Sequence, residues 1–143
     1  MSIAAPPVPI PDESSQFFWD GVAADELWIL RCQNCGKFIH LPKPMCRFCH
    51  SLVLAPERVS GRARLYSWTV AMQAFHPYFA DRIPYTIATV ELVEQDRLMF
   101  VTNIVDCDED DLRDQLELEV VFPTVAEGFK LPLFRPVVNK ASK

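Results

Sequence analysis

Glycine is scarce in this chain, with four residues in 143 against twelve prolines. Loops that cradle phosphate need glycine, and neither G-x-G-x-x-G nor G-x-x-x-x-G-K-[ST] occurs. ATP- or NAD-driven chemistry is therefore not expected. Positive charge is also in deficit: nineteen acidic against fourteen basic residues leave a net charge of −5, the wrong sign for a chain that holds nucleic acid by releasing counterions. No stretch of about 18 apolar residues is present, so no helix is expected to span a membrane. Met1 to Pro11 carries four prolines and no basic side chain, unlike a signal peptide. The length allows one ordinary domain or two very small ones, too little for a catalytic domain plus a cofactor domain. What is present is apolar matter, 50% of residues with 11% aromatic, which excludes the disordered and collagenous classes.

The net charge conceals an asymmetry. Arg31 to Arg64 holds seven basic residues and one acid, Glu57, whereas Glu91 to Glu119 holds eleven acids and two bases, Arg97 and Arg113. One part of the molecule is expected to present a positive field and another a negative one.

Along the chain, the proline-rich arm gives way to Asp12-Glu13-Ser14-Ser15, which supplies helix N-cap candidates. The short helix that follows carries Phe17, Phe18 and Trp19, with Gly21 placed where it could end or bend. These aromatics exceed what so small a segment can bury alone, so they must dock on the next module or on another protein. Leu27 to Leu30 reads as a strand running into Cys32. From Ser60 the pattern turns to β: Arg64–Val70 and Tyr85–Leu92 alternate, Leu98–Val105 is nearly continuous, and Leu116–Phe122 and Leu131–Pro136 close the series. Short strands joined by turns and one acidic connection, Asp106 to Asp114, suit a small barrel. The Gln73–Pro84 loop is aromatic rather than polar, which suits a binding surface or a plug over the barrel end.

Cys32-Gln33-Asn34-Cys35 and Cys46-Arg47-Phe48-Cys49 form two C-x2-C pairs separated by ten residues. Each pair can wrap a turn that aims two thiolates at one ion, and two such knuckles complete a tetrahedral site. Zinc is the favoured metal, with rubredoxin-like iron the rival that shares the geometry. A closed set of four thiolates leaves no position for water, so the ion's expected role is structural. His40 and His50 lie near the cluster, but four sulfurs are the expected set. Cys107, remote from the others, reads as a lone thiol. The only histidine elsewhere is His76, and no serine, cysteine or carboxylate pair converges on it in sequence. No self-sufficient active site is expected.

These residues resemble a known family. Phe17-Phe18-Trp19, then L-x3-R-C-x2-C-G-x5-P-x3-C-x2-C from Leu27, then Ser60-Gly61-Arg62-Ala63-Arg64-Leu65-Tyr66-Ser67-Trp68-Thr69-Val70, and finally Leu131-Pro132-Leu133-Phe134-Arg135-Pro136 are similar to the rubredoxin-like zinc-ribbon plus OB-fold proteins associated with thiolases and lipid-transfer-protein-type thiolase homologues. The likeness runs from about Ser15 to Pro136. Two departures concern turns: Glu94-Gln95-Asp96 and Asp114-Gln115 stand where the family favours glycine.

The resemblance implies a mainly β chain, with an N-terminal helix and rubredoxin-like zinc ribbon followed by a small OB-fold barrel. The expected division is 1–14 as a flexible arm, 15–58 as helix and ribbon, 59–138 as barrel and 139–143 as tail. It implies a structural zinc ion on Cys32, Cys35, Cys46 and Cys49, and a cytoplasmic accessory subunit without catalytic activity of its own. That subunit would pack on a thiolase-like or lipid-transfer-protein-type enzyme as a hetero-oligomer, the partner carrying out thiolytic or retro-aldol cleavage of an acyl-CoA, including steroid-type thioesters. Contacts are expected through Phe17, Phe18, Trp19 and the Phe75-His76-Pro77-Tyr78-Phe79 loop. Arg47, Arg62 and Arg64 are candidates to meet the phosphates of coenzyme A or acyl-CoA shared with the partner, since the guanidinium fork pairs with phosphate. The alternative is a nucleic-acid binder, because zinc ribbons and OB barrels both serve that role.

Overall fold

The computed structural model describes residues 5–138. The first helix, α1, spans Gln16–Ala23. Ser15 holds the N-cap position without a capping side-chain bond. The turn before it is closed by Asp12, whose carboxylate accepts the Ser15 N–H at 2.9 Å and the Ser14 hydroxyl at 2.8 Å. The helix runs through Gly21, neither ending nor being broken there. The reason for glycine is close approach: a Cβ at this position would strike the Trp28 ring and lie 3.0 Å from the Glu26 carbonyl oxygen.

A three-stranded antiparallel sheet follows, with β1 (Leu27–Cys32) at its centre between β2 (Phe38–Ile39) and β3 (Leu54–Val59). The β3 strand was not apparent in the sequence because Pro56 sits inside it. As an edge strand pairing only with β1, it tolerates a residue that cannot donate to a ladder.

The chain then enters a closed barrel of β4 (Arg62–Ala71), β5 (Tyr85–Leu92), β6 (Met99–Ile104), β7 (Glu117–Val121) and β10 (Leu133–Pro136). In barrel order, first pairs with second, second with third, third with fifth, fifth with fourth, and fourth closes on the first. The third and fifth strands are parallel, Phe134 opposite Ile104, and the remaining pairs antiparallel. This closed five-stranded arrangement is the OB-fold. A bulge between Leu65 and Ser67 bends β4 so that it serves both neighbours. The acidic connection contains one 3-10 turn, Glu109–Asp111. Before β10 comes a small hairpin, β8 (Thr124–Ala126) and β9 (Phe129–Lys130), also not anticipated from the sequence. It is stitched to the helix end by Phe129 against Trp19, ring centroids 5.4 Å apart, and by Lys130 Nζ on the Asp25 carboxylate at 2.7 Å.

Strand alternation explains the core. Ala63 and Leu65, Ala88, Val90 and Leu92, Phe100 and Ile104, Leu118, and Phe134 all point inward and are buried. The same cluster continues through Phe18, Val22, Leu27, Ile29, Phe38 and Val59, so helix, ribbon sheet and barrel share one hydrophobic core. Phe18 stacks on Phe100 with centroids 5.9 Å apart. Of the two docking options for the helix aromatics, Phe18 takes the intramolecular one, being only 7% exposed and packed in the shared core. Phe17 and Trp19 are half-buried against the same core. No helix among the described residues is long and apolar enough to cross a membrane.

Candidate metal centre and the groove beside it

The far end of the ribbon has almost no core of its own. Buried there are only Cys32, Ile39 and Cys46, with Cys49 and Leu54 packed around them. The two knuckles are built alike. Cys32 N–H donates to the Lys37 carbonyl and Gly36 N–H returns to the Cys32 carbonyl, while Cys46 N–H donates to Ser51 and His50 N–H returns to Cys46. Gly36 and His50 hold the equivalent left-handed positions, φ 81° and 65°, that turn each chain back.

The four Sγ atoms lie within 4.8 Å of one another. Cys32 to Cys49 and Cys35 to Cys46 are each 3.6 Å. A tetrahedral ion with Zn–S bonds of about 2.3 Å requires sulfurs ~3.8 Å apart, so the residues fit the metal. The surroundings favour thiolates. Cys32 Sγ accepts N–H groups of Asn34 and Cys35 at 3.4 and 3.5 Å, and Cys46 Sγ accepts that of Phe48 at 3.3 Å. The amide of Cys35, helped by that of Asn34, draws the Cys32 thiol down to about 6. The Asn34 side-chain amide, 3.5 Å from Cys49 Sγ, lowers that thiol too. Cys35 goes the other way, up to about 11: a Lys37 amide favours its thiolate, but burial and the three crowding sulfurs outweigh it. Neither histidine belongs to the set. His50 is exposed, and His40 is stacked on Phe100 with centroids 4.9 Å apart. Cys107 lies apart from the cluster, half-buried against the main core, its thiol raised by burial.

Of the three candidate arginines, only Arg47 lines a groove between ribbon and barrel, a space of about 230 Å³. It stands beside Lys43 and Arg97, with the Arg47 guanidinium 4.5 Å above the Phe48 ring. Arg62 and Arg64 lie on β4 and do not line this groove. Arg64 pairs with Glu91 at 3.6 Å, and Arg62 stands opposite Glu119 of β7. Sequence reasoning missed Arg97 because its neighbours in the chain are acidic; its own φ of 65° folds the turn back toward the ribbon. Gln95 in the same turn makes a double hydrogen bond to β2. Phe38 N–H donates to its Oε1 at 2.8 Å, and its Nε2 donates to the Phe38 carbonyl at 3.1 Å.

In the aromatic loop, Phe79 stacks on Tyr85 at 4.8 Å and Arg82 covers Tyr78 at 4.2 Å. Phe75 stands 83% exposed. The expected loop contacts therefore divide into rings used within the chain and one left outward.

Fold and site together define a zinc-ribbon protein joined to an OB barrel. Residues 19–55 match the ChsH2 rubredoxin-like zinc ribbon domain, and residues 56–123 match the ChsH2 C-terminal OB-fold domain. The chain belongs to this DUF35 family. It is 30% identical over 120 residues to a DUF35 domain-containing scaffold protein of Methanocaldococcus jannaschii, covering 77% of this chain and 81% of that one. It is 33% identical over 138 residues to a probable enoyl-CoA hydratase alpha subunit of Thermomonospora curvata, spanning 92% of this chain but only 40% of that protein's length. Among solved structures, a chain of an Ltp2-ChsH2(DUF35) aldolase superposes with a TM-score of 0.82 at 30% identity, covering 92% of this chain and all of that one. A DUF35 protein of unknown function from Sulfolobus solfataricus shares the fold at a TM-score of 0.59 and 11% identity.

Proposed function

We propose that this protein is a non-catalytic, zinc-binding accessory subunit of a thiolase-like or lipid-transfer-protein-type acyl-CoA enzyme. It stabilises that enzyme in a hetero-oligomer whose partner cleaves C–C bonds by thiolysis or retro-aldol chemistry, steroid-type CoA thioesters included. The observation that carries the reading is the match across the full length of the subunit in the Ltp2-ChsH2(DUF35) aldolase. The metal site supports a structural role, because four thiolates saturate a tetrahedral zinc ion and leave none of its positions for substrate. The seam groove supports a share in holding coenzyme A: Lys43, Arg47 and Arg97 converge there, and Arg62 and Arg64 on β4 are the secondary candidates. Half-buried Phe17 and Trp19 and exposed Phe75 are the proposed partner contacts.

Co-expression with the thiolase-type protein encoded nearest to it tests the reading. Expected are one zinc per chain, co-purification as a single assembly, and C–C cleavage of an acyl-CoA by the assembly but not by this chain alone. Recovery of two independent proteins, each with its full activity, would refute it. Arg47→Glu is expected to raise the assembly's KM for acyl-CoA about tenfold, the loss of one charge-assisted phosphate contact. Arg62→Glu is expected to change it less.

A further inference from the structure

Residues 5–11 read Ala-Pro-Pro-Val-Pro-Ile-Pro, so each of them is a proline or immediately precedes one. Proline fixes its own φ near −65°, and the residue before it is pushed away from helix into extended or polyproline II backbone. The whole segment is thus held in one extended conformation by its own sterics. Polyproline II repeats every three residues, which puts Pro6 and Pro9 on the same face. Pro6, Pro9 and Pro11 are half-buried, while Pro7, Val8 and Ile10 are exposed, Ile10 to 91%.

Pro6 and Pro7 form one wall of a groove of about 210 Å³ whose other walls include Tyr78, Phe79, Arg82 and Tyr85. Those side chains are fixed in place by one another, with Phe79 stacked on Tyr85 and Tyr78 edge-on to Phe79 at 5.0 Å. Flat, immobilised aromatic surfaces are what proline-rich segments dock on, since a pyrrolidine ring packs well on an aromatic face and a stiff ligand has little entropy to lose.

We propose that the aromatic loop over the barrel end is a polyproline-reading surface, and that its ligand is the chain's own arm, Ala5–Pro11, seated in cis. The arm clamps the loop: it faces Tyr78 and Phe79 across the groove, in a segment whose backbone bonds include Tyr78 N–H on His76 Nδ1 at 3.1 Å and several turn bonds. A released groove accepts a second proline-rich peptide of the same P-x-x-P form.

The test uses the full-length, zinc-loaded chain and the double variant Pro6→Glu/Pro7→Glu at the groove wall, with exposed Ile10→Glu as a control away from the groove. Thermal melting and metal content report whether each remains folded. Hydrogen exchange at residues 78–85 is expected to quicken ~10-fold or more in the double variant, as for a loop that has lost its cover, and to stay at the wild-type rate in Ile10→Glu. A labelled synthetic peptide of residues 5–12 is expected to bind the double variant saturably and the wild-type chain not at all. Unchanged exchange in the double variant, equal disturbance by Ile10→Glu, or no saturable peptide binding to the released chain would each overturn the proposal. Because neither readout involves the partner enzyme or coenzyme A, failure here leaves the accessory-subunit reading standing.

Discussion

Replacing Cys46 by serine removes a fully buried sulfur that lies 3.6 Å from Cys35 Sγ and accepts the Phe48 amide. What remains to hold the ribbon tip is small. Ile39 and half-buried Leu54 are the apolar side chains packed there, and since full burial of each contributes about 1.5–3 kcal/mol, together they supply less than roughly 6 kcal/mol. A structural zinc site supplies on the order of 10–16 kcal/mol of apparent binding free energy, so the metal dominates the local balance. Loss of one of four ligands is expected to weaken zinc by at least about 100-fold, or ~2.7 kcal/mol. The barrel centre, with Leu65, Val90, Leu92, Leu118 and Phe134, is packed independently of the ion and should survive. The assay is zinc release to a chromogenic chelator alongside hydrogen exchange. The expected result is early zinc release, protection lost across residues 32–53, and protection retained in β5 and β6. Stoichiometric zinc with wild-type protection at the tip would refute the assignment of Cys46. Simultaneous loss of protection through β5 and β6 would refute the argument that the barrel is packed without the metal.

His40 gives a pH test. Burial among Phe18 and Phe100 pushes its pKa from 6.5 down to about 4, with no charged neighbour contributing. The unfolded chain then binds the proton more readily between those values, so stability is intact above pH 6.5 and falls as the pH drops toward 4. The upper bound is on the order of 3 kcal/mol, and His40→Phe is expected to remove this slope in urea titrations at pH 4.5 and 7. An unaltered slope in that variant would place the acid sensitivity elsewhere. Gly21→Ala is expected to cost about 1–3 kcal/mol, because the new methyl must displace Trp28, whose fluorescence would shift with it. Gln115, exposed at φ 66°, is expected to gain about 0.5–1 kcal/mol on replacement by glycine, read as a higher melting temperature; a lower one would show that the turn does not carry this strain.

Most of the barrel was legible in the sequence because its inward residues alternate within single strands, and the metal set because each knuckle is a local turn. Both turns that lack the glycine expected there contain a left-handed non-glycine residue, Arg97 in one and Gln115 in the other. The missed features have different causes. Pro56 masks β3, since local propensity carries no information on whether a strand will lie at an edge. The hairpin of β8 and β9 is two short strands whose stability comes from Trp19 and Asp25, about a hundred residues earlier in the chain. The fate of Phe18 was equally hidden, because helix amphipathicity does not say which surface will cover it. Arg47 and Arg97 meet only through the fold, and the basic stretch alone pointed to Arg62 and Arg64, which β4 carries to the acidic neighbours Glu91 and Glu119.

Two modules so small could have been beads on a string, and three connections make them one body. The core passes without a break from Ile29 and Phe38 to Phe100 and Phe134. The chain leaves β3 at Val59 and begins β4 at Arg62, too short a link for free rotation. Gln95 gives the exposed edge of β2 both a donor and an acceptor, so the barrel turn acts as an additional strand partner for the ribbon. The groove holding Lys43, Arg47 and Arg97 lies at this junction, with walls from both modules. With zinc bound as proposed, its shape would depend on the ion's hold on residues 32–53 and on the barrel turn that bonds Phe38. An anion held there would be lost with the zinc even though no atom of the ion touches it.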